Sequence, residues 1–264
     1  MISHNVLSSG VSIGIGRGSP IIANNKLNGG YISINGDVDN PIITSNVIYN
    51  PDPQWPFSTS ACISIVGGNF RNNQGLVLIE KNALKNSQIG VELVENENYD
   101  IRKPITIRYN TIENNEVGIG ITDRFSPTIT NNNIYNNNVS IKLSSFASRD
   151  VNAANNWWGT TDTQAISQSI HDFEDDFDLG KVTFIPFLTS PDPNATPDPN
   201  ALIPTPAPEQ TPAASPTPTP EQIPTPTPSQ EPQQTEFATI IGAAIVVAVF
   251  GAGLGFLIYL IKRK

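Results

Sequence analysis

Five acidic residues follow directly after short segments of alternating apolar residues. Asp37 and Asp39 come after Ile32-Ser-Ile34, Glu95 and Glu97 after Val91-Glu-Leu93, and Asp123 after Ile119-Gly-Ile121. Arg102, Lys103 and Arg124 lie in the same stretches. Two carboxylates held ~5–10 Å apart can hydrolyse a glycosidic bond, and an acidic calcium site beside a basic residue can support uronate elimination. The same charges also read as solvated loop residues that keep the chain soluble, and no spacing motif selects between these readings. Trp55, Trp157 and Trp158 can stack on sugar rings, while a Trp near the end of a repeat array also serves as core or cap packing.

A second acidic group, Asp172, Glu174, Asp175, Asp176 and Asp178, could bind calcium or form a solvated face, but it lacks the spacing of an EF-hand loop. Cys62 is the single cysteine, so an internal disulfide is excluded, and with His4 and His171 it makes no clustered zinc or copper site. It reads as a small buried residue. Neither a Ser-His-Asp pattern nor a Gly-rich phosphate loop between strand and helix is present. Calcium is the only cofactor these residues suggest. The formal charge of −9 argues against a nucleic-acid partner, whose phosphates need a basic footprint.

The elements that must position these residues are repeats. Asn-x-(Leu/Ile/Trp) recurs at Asn5, Asn25, Asn46, Asn82, Asn110, Asn132 and Asn155, at intervals of 20, 21, 36, 28, 22 and 23 residues. Such spacing marks a solenoid, in which each unit covers the apolar face of the next. The two longest intervals read as loop insertions, at Asn50 to Ala61 and Glu95 to Lys103, with an irregular coil between 66 and 82. Val11-Ser-Ile13, Ile32-Ser-Ile34, Ile63-Ser-Ile65, Val91-Glu-Leu93, Ile119-Gly-Ile121 and Ile141-Lys-Leu143 alternate with period two, as strands with one buried face do. A second strand opens after Pro20, Pro41, Pro104 and Pro127, where the missing N–H breaks no ladder. Asn and Gly between the strands suit left-handed turns. Two strands and two turns every ~22 residues predict an all-β, parallel β-helix with Asn side chains bonded from coil to coil.

The units of the form Asn-x-Ile-x-x-Asn-x-x-Gly-Ile-x-Ile, clearest over Asn110 to Ile121, and the closing run Asn155-Asn-Trp-Trp-Gly-Thr160 resemble the right-handed parallel β-helix repeat family. That family is the pectin-lyase-like superfamily, which includes the NosD-type periplasmic proteins. The closing run, followed by an acidic segment and Val182-Thr-Phe-Ile-Pro-Phe-Leu188, looks like the end of the β-helix in prokaryotic, particularly archaeal, membrane-anchored surface proteins. The resemblance covers residues 1–160 and implies that the loops after the alternating strands stack along one edge. Asp37, Asp39, Glu95, Glu97 and Asp123 would then form a ridge. Because the family includes lyases, hydrolases, adhesins and proteins without chemistry, it implies no single activity. A copper role borrowed from the NosD resemblance lacks soft ligands, since two distant His, one Cys and Met1 do not make such a site.

The predicted domains follow from composition. Residues 1–160 contain 27 Asn and form the β-helix, and residues 161–189 form its cap. In the cap, Thr161 and Gln164 suit a capping box, Ile166, Ile170, Phe173 and Phe177 recur at helical spacing, and Gly180 stops the helix. Residues 190–236 hold 15 of the 23 Pro, with six acids and no Lys or Arg, and predict a disordered, extended stalk. Asn138-Val-Ser140 and Asn194-Ala-Thr196 are N-glycosylation sequons if the host glycosylates. Residues 237–261 carry no charge over 25 residues, enough for one transmembrane helix, and Lys262-Arg-Lys264 places the C-terminus in the cytoplasm by the positive-inside rule. The chain enters directly at a repeat Asn without a recognisable signal peptide, which predicts that a signal peptide and earlier coils precede it in the gene.

Two functional classes follow: a non-catalytic cell-surface module for adhesion, glycan contact or envelope structure, and a tethered polysaccharide lyase or glycoside hydrolase. Acids aligned in one groove favour the second, and acids dispersed around the coils favour the first. In either class, Leu7, Leu27, Ile48, Leu84, Ile112 and Ile134 should share one interior column, being offset by two from each repeated Asn. Ile112→Asp would bury an unpaired charge at a cost of several kcal/mol. The expected result is loss of β-type circular dichroism and a lower melting temperature; retention of both would show the column to be misassigned.

Overall fold

The computed structural model describes residues 1–8, 11–49, 61–66, 75–94, 104–122, 125–144 and 146–197, all within the compact unit Met1–Pro206. Every coil is closed by parallel pairing with its neighbours, because no strand is long enough to bury a face against anything but the next coil. Among the described residues three sheets result. Sheet A contains eight strands, from Ile2–Ser3 through Ile42–Thr44, Val77–Glu80 and Ile105–Arg108 to Val182–Thr183. Sheet B contains six strands of three residues each, among them Ala83–Lys85, Thr111–Glu113 and Asn133–Tyr135. Sheet C contains seven strands, including Ile32–Val38, Ala61–Val66, Ile89–Val94 and Ile170–His171, one for each coil. The two strands expected per coil are therefore three. Each sheet B strand sends only one apolar side chain into the core, so no alternation betrays it.

That buried residue forms the expected column: Leu7 pairs with Leu27, Leu27 with Ile48, Ile48 with Leu84, Leu84 with Ile112, and Ile112 with Ile134. Ile22, Ile43, Ile79, Ile107 and Ile129 line up in the same way from sheet A, and Ile34, Ile65, Leu93, Ile121 and Leu143 from sheet C. Each side chain of these columns that is fully withdrawn from water contributes ~2 kcal/mol. Leu78 pairs with Ile42, so the stack runs through the longest interval without an extra coil.

Between sheets A and B runs a ladder of carboxamides. The Nδ2 of Asn5, Asn25, Asn46, Asn82, Asn110 and Asn132 donates to the Oδ1 of the next Asn at 2.9–3.0 Å, and the last acceptor is Asn156. The repeated residue of the final coil is thus Asn156, one position later than the sequence pattern suggested. Asn155 instead takes the left-handed turn position, at φ 60°. His4, Asn24, Ser45, Lys81, Tyr109 and Asn131 hold the same position in the other coils, at φ 54–59°. A shorter second ladder, from Ser87 to Asn115 to Asn137, lines the turn between sheets B and C. Beside it, a Cβ on Gly118 would lie 2.6 Å from the Ser140 carbonyl oxygen, so only Gly permits that coil spacing.

The cap differs from the helix expected over residues 161–180. Its helix covers only Thr163–Gln168, and Asp162, not Thr161, caps it by accepting from the Gln164 and Ala165 amides. Ile166 is buried as expected, but Ile170 and His171 leave the helix and pair with Ile141 and Lys142, because the last strand of sheet C otherwise ends in unsatisfied amides and carbonyls. Phe173 and Phe177 stack edge-to-face on each other at 5.2 Å, and Phe177 is 80% exposed. Gly180 makes a close contact rather than a helix stop: its N–H donates to Ala147 O, and a Cβ there would overlap Arg149 O. Val182–Thr183 closes sheet A as expected.

The folded part also extends beyond the expected boundary at 189. Residues 191–197 lie back on sheet B: Asp192 N–H donates to Asn133 Oδ1 at 2.7 Å, Asn133 Nδ2 donates to Asp192 O at 3.0 Å, and Ala195 is fully buried. Residues 190–197 are therefore part of the cap, and the remainder of the expected stalk lies outside the described residues. Among the described residues no helix is long and apolar enough to cross a membrane; the expected span over 237–261 lies outside them.

Asn82 is the best place to test the ladder. It is buried and bonds to Asn46, Asn110, Ile43 O and Glu80 O. Asn82→Ala should leave several buried groups unpaired and cost on the order of 3 kcal/mol or more, read as a fall in denaturation midpoint. Asn5→Ala, at the exposed end of the ladder, should cost much less.

Candidate functional site

Of the expected acidic ridge, one side chain is described. Asp39 is exposed, and its N–H donates to Gly18 O at 3.0 Å. Asp37 lies in the strand Ile32–Val38, its backbone paired with Arg17 just past a register shift. Glu95, Glu97, Asp123, Arg102, Lys103, Arg124 and Trp55 lie outside the described residues. Several of the described carboxylates elsewhere hold the fold together. Glu80, nearly buried on the outer side of sheet A, accepts from Arg108 Nε at 2.8 Å on the adjacent coil. Asp150 accepts from the Lys181 amide at 2.9 Å.

The acidic run of the cap is similarly engaged. Asp172 is buried, with one carboxylate oxygen taking the Val182 N–H at 2.7 Å and the other the Glu174 N–H at 3.0 Å. Asp175 accepts from the Asp172 amide and lies 3.5 Å from His171 Nδ1, while Asp176 accepts from the Asp178 amide. Glu174 pairs with Lys181 at 3.4 Å. Most of these are bonds within the turn, and Asp172 ties it to the closing strand; Glu174, Asp175, Asp176 and Asp178 are exposed, as a solvated acidic face requires. Among the described residues no group of three or more His, Cys, Asp or Glu could hold a metal ion.

The two closing tryptophans separate. Trp158 is buried, edge-to-face with Phe184 at 6.3 Å, and it closes the interior column above Ile134; as a sugar-stacking residue it is excluded by burial. Trp157 points the opposite way, since neighbouring strand residues face opposite sides. It is half-buried and lines a groove of about 470 Å³ on the outer face of sheet B. Glu113, Tyr135, Asn136 and Thr111 share that groove, and Pro191 and Pro197 form a wall. Burial, together with a hydrogen bond to Glu113 and the carboxylate's charge, pushes the Tyr135 phenol up to about 12, so it remains an O–H donor. Gly159, at φ 81°, lets the chain rest on Tyr135, where a Cβ would come within 2.8 Å of the Tyr135 Cβ.

Residues 1–157, the whole stack up to this groove, match the family described as the right handed beta helix region. The chain belongs to the right-handed beta-helix family. No curated protein and no solved structure matches it. Within this beta-helix the groove is the feature that sequence reasoning missed. Its members lie on strands too short to show a pattern, and its wall comes from a segment expected to be unstructured. The local signal was present in Trp157, but its partners are set by coil stacking.

Cys62 is the remaining reactive side chain, and the beta-helix encloses it as expected. Its Sγ donates to Ile48 O at 3.6 Å, and burial pushes the thiol up to about 12. Because the folded value is raised, the neutral thiol stabilises the fold fully below the unfolded value near 8.5, and this contribution is lost as pH climbs toward about 12. A thiol reagent at pH 8 should leave the native protein unmodified and react promptly once denaturant is added. Stoichiometric labelling of the native state would contradict the burial.

Proposed function

We propose that this chain is a membrane-anchored, non-catalytic cell-surface module, displaying a right-handed beta-helix for adhesion, glycan contact or envelope structure. The observation that carries the reading is how the described part uses its charges. Glu80, Asp150, Asp162, Asp172, Asp175 and Asp176 bond to backbone amides or to a neighbouring side chain, and so serve the coil stack and its cap. Part of the outward face is polar and periodic, although the sheet A column begins with Ile21, Ile42 and Leu78. Thr106, Thr128 and Asn152 align on sheet A, and Lys85, Glu113 and Tyr135 on sheet B. Repetition of this kind suits contact with an extended, repetitive partner.

The sequence supports the anchorage. The Pro-rich segment acts as a spacer, residues 237–261 cross the bilayer as a helix of ~37 Å at 1.5 Å per residue, and Lys262-Arg-Lys264 stays inside the cell. The β-helix then lies outside. A cytoplasmic β-helix on a tail anchor is the rival arrangement, and it would drag three cations across the membrane.

Protease added to intact cells should release a fragment ending in the Pro-rich segment. Complete protection until lysis would overturn the topology. Incubation of the full-length chain with a polysaccharide panel should release neither reducing ends nor unsaturated uronides. Release that disappears on changing Asp37, Asp39, Glu95, Glu97 or Asp123 would replace this reading with a tethered lyase or hydrolase.

A further inference from the structure

We propose, resting on the surface-module reading, that the groove on the outer face of sheet B is a binding site for neutral oligosaccharides. Its volume of about 470 Å³ falls in the range of small-ligand sites, ~300–1000 Å³. It is also held rigidly from both sides. The backbone of Trp157 is clamped, its N–H donating to Asn132 O at 2.8 Å and its carbonyl accepting from Ile134 N–H at 2.7 Å. The opposite wall is fixed by the reciprocal bonds between Asp192 and Asn133, and by Thr111 Oγ1 donating to Ala195 O. A preformed groove spares the ligand the ordering cost that weakens binding to loops.

The lining has the two halves that a pyranose requires. Trp157 offers an apolar, polarisable face for ring C–H groups, and Glu113 and Asn136 offer polar edges for hydroxyls. The Glu113 carboxylate accepts from Tyr135 and lies 3.8 Å from Lys85 Nζ, and a carboxylate has about four lone-pair positions, so acceptor capacity remains.

Charge decides the sugar class. Glu113 is the one ionisable carboxylate among the groove's lining residues, and the cation nearest to it, Lys85 at 3.8 Å, is already paired with it, so a uronate or sulfated sugar would meet a like charge with no free cation among the lining residues. A neutral sugar instead donates hydroxyls to it. A proline-rich peptide fits less well. A polyproline segment would share the Trp157 face, but it brings no hydroxyls to Glu113 and Asn136, and the Asn133 amide and Thr111 hydroxyl that could bond its carbonyls are already taken by Asp192 and Ala195.

The full-length chain would be screened on an array of neutral gluco-, manno- and galacto-oligosaccharides beside oligouronates and a Pro-Thr peptide, with hits titrated by tryptophan fluorescence. Binding of neutral oligosaccharides is expected, with Trp157→Ala weakening it at least tenfold. Because Trp157→Ala could perturb the last coil, Asn136→Gly provides the second variant. Asn136 sits at φ 55°, which Gly adopts freely, so the melting temperature should hold while affinity falls severalfold. The proposal is overturned if no neutral sugar binds, if only uronates or the Pro-Thr peptide bind, or if both folded variants bind as the parent does. Such a result, with surface exposure intact and no polysaccharide cleaved, would remove the groove and leave the surface-module reading standing.

Discussion

Everything in this structure depends on holding successive coils at one spacing, and the Asn ladder between sheets A and B enforces it. Each carboxamide sits where the chain turns, so the backbone cannot continue its own strand-to-strand pairing there. Asn25 shows the solution: its Nδ2 donates to Ala23 O on its own coil, to Ile2 O on the coil before and to Asn46 Oδ1 on the coil after, while its backbone N–H also reaches Asn46 Oδ1. One side chain thus satisfies groups on three coils in an environment closed to water, where an orphaned polar group costs ~1–3 kcal/mol. No other residue type combines a donor pair and an acceptor at that reach. Asp would supply acceptors only, and Gln would overshoot.

The turn that presents this Asn is strained. The residue before it is left-handed in all seven coils, and at Ser45, Lys81 and Tyr109 neither Gly nor Asn occupies the position, at a conformational cost of roughly 1–2 kcal/mol each. The ladder and the interior column it aligns outweigh that cost. On the other side of each coil the constraint is steric. Gly90 and Gly118 allow neighbouring backbones within 2.6 Å of where a Cβ would stand, and this brings Ser87, Asn115 and Asn137 into the second ladder. Side-chain hydrogen bonds set the spacing at one corner, and the absence of a side chain permits it at the other.

A solenoid built in this way cannot end abruptly, because its last coil offers the same unpaired strands and apolar columns as every other. The cap answers each in turn. Ile170–His171 extends sheet C, Val182–Thr183 extends sheet A, and Trp158 with Phe184 covers the columns. Residues 191–197 cover sheet B. Asp172 links these pieces, because its buried carboxylate binds the amide that begins the closing strand. Glu174, Asp175, Asp176 and Asp178 stay exposed around it, and residues 191–197 supply one wall of the groove beside Trp157.

The parts legible in the sequence were those written in a local period. The fold class, the ladder residues from Asn5 to Asn132, the interior column and the post-proline strands all repeat at coil spacing, so one chain carries several copies of the same statement. Where the copies end, local pattern ran out. Asn155 and Asn156 fit the motif equally well, and only the bond from Asn132 selects the second. The helical spacing of Ile166, Ile170, Phe173 and Phe177 was real, yet the open edge of sheet C drew Ile170 into a strand, since backbone groups left unpaired outweigh a weak helical preference. The folding back of Pro191 to Pro197 was invisible for the same reason: it is stabilised by Asn133 and Thr111, some 60 to 80 residues away. The sequence by itself therefore determined the coil and its repetition, because those follow from residue type and neighbouring spacing. Only the tertiary structure decided how the stack is closed and which side chains share a groove, because those depend on contacts between residues far apart in the chain.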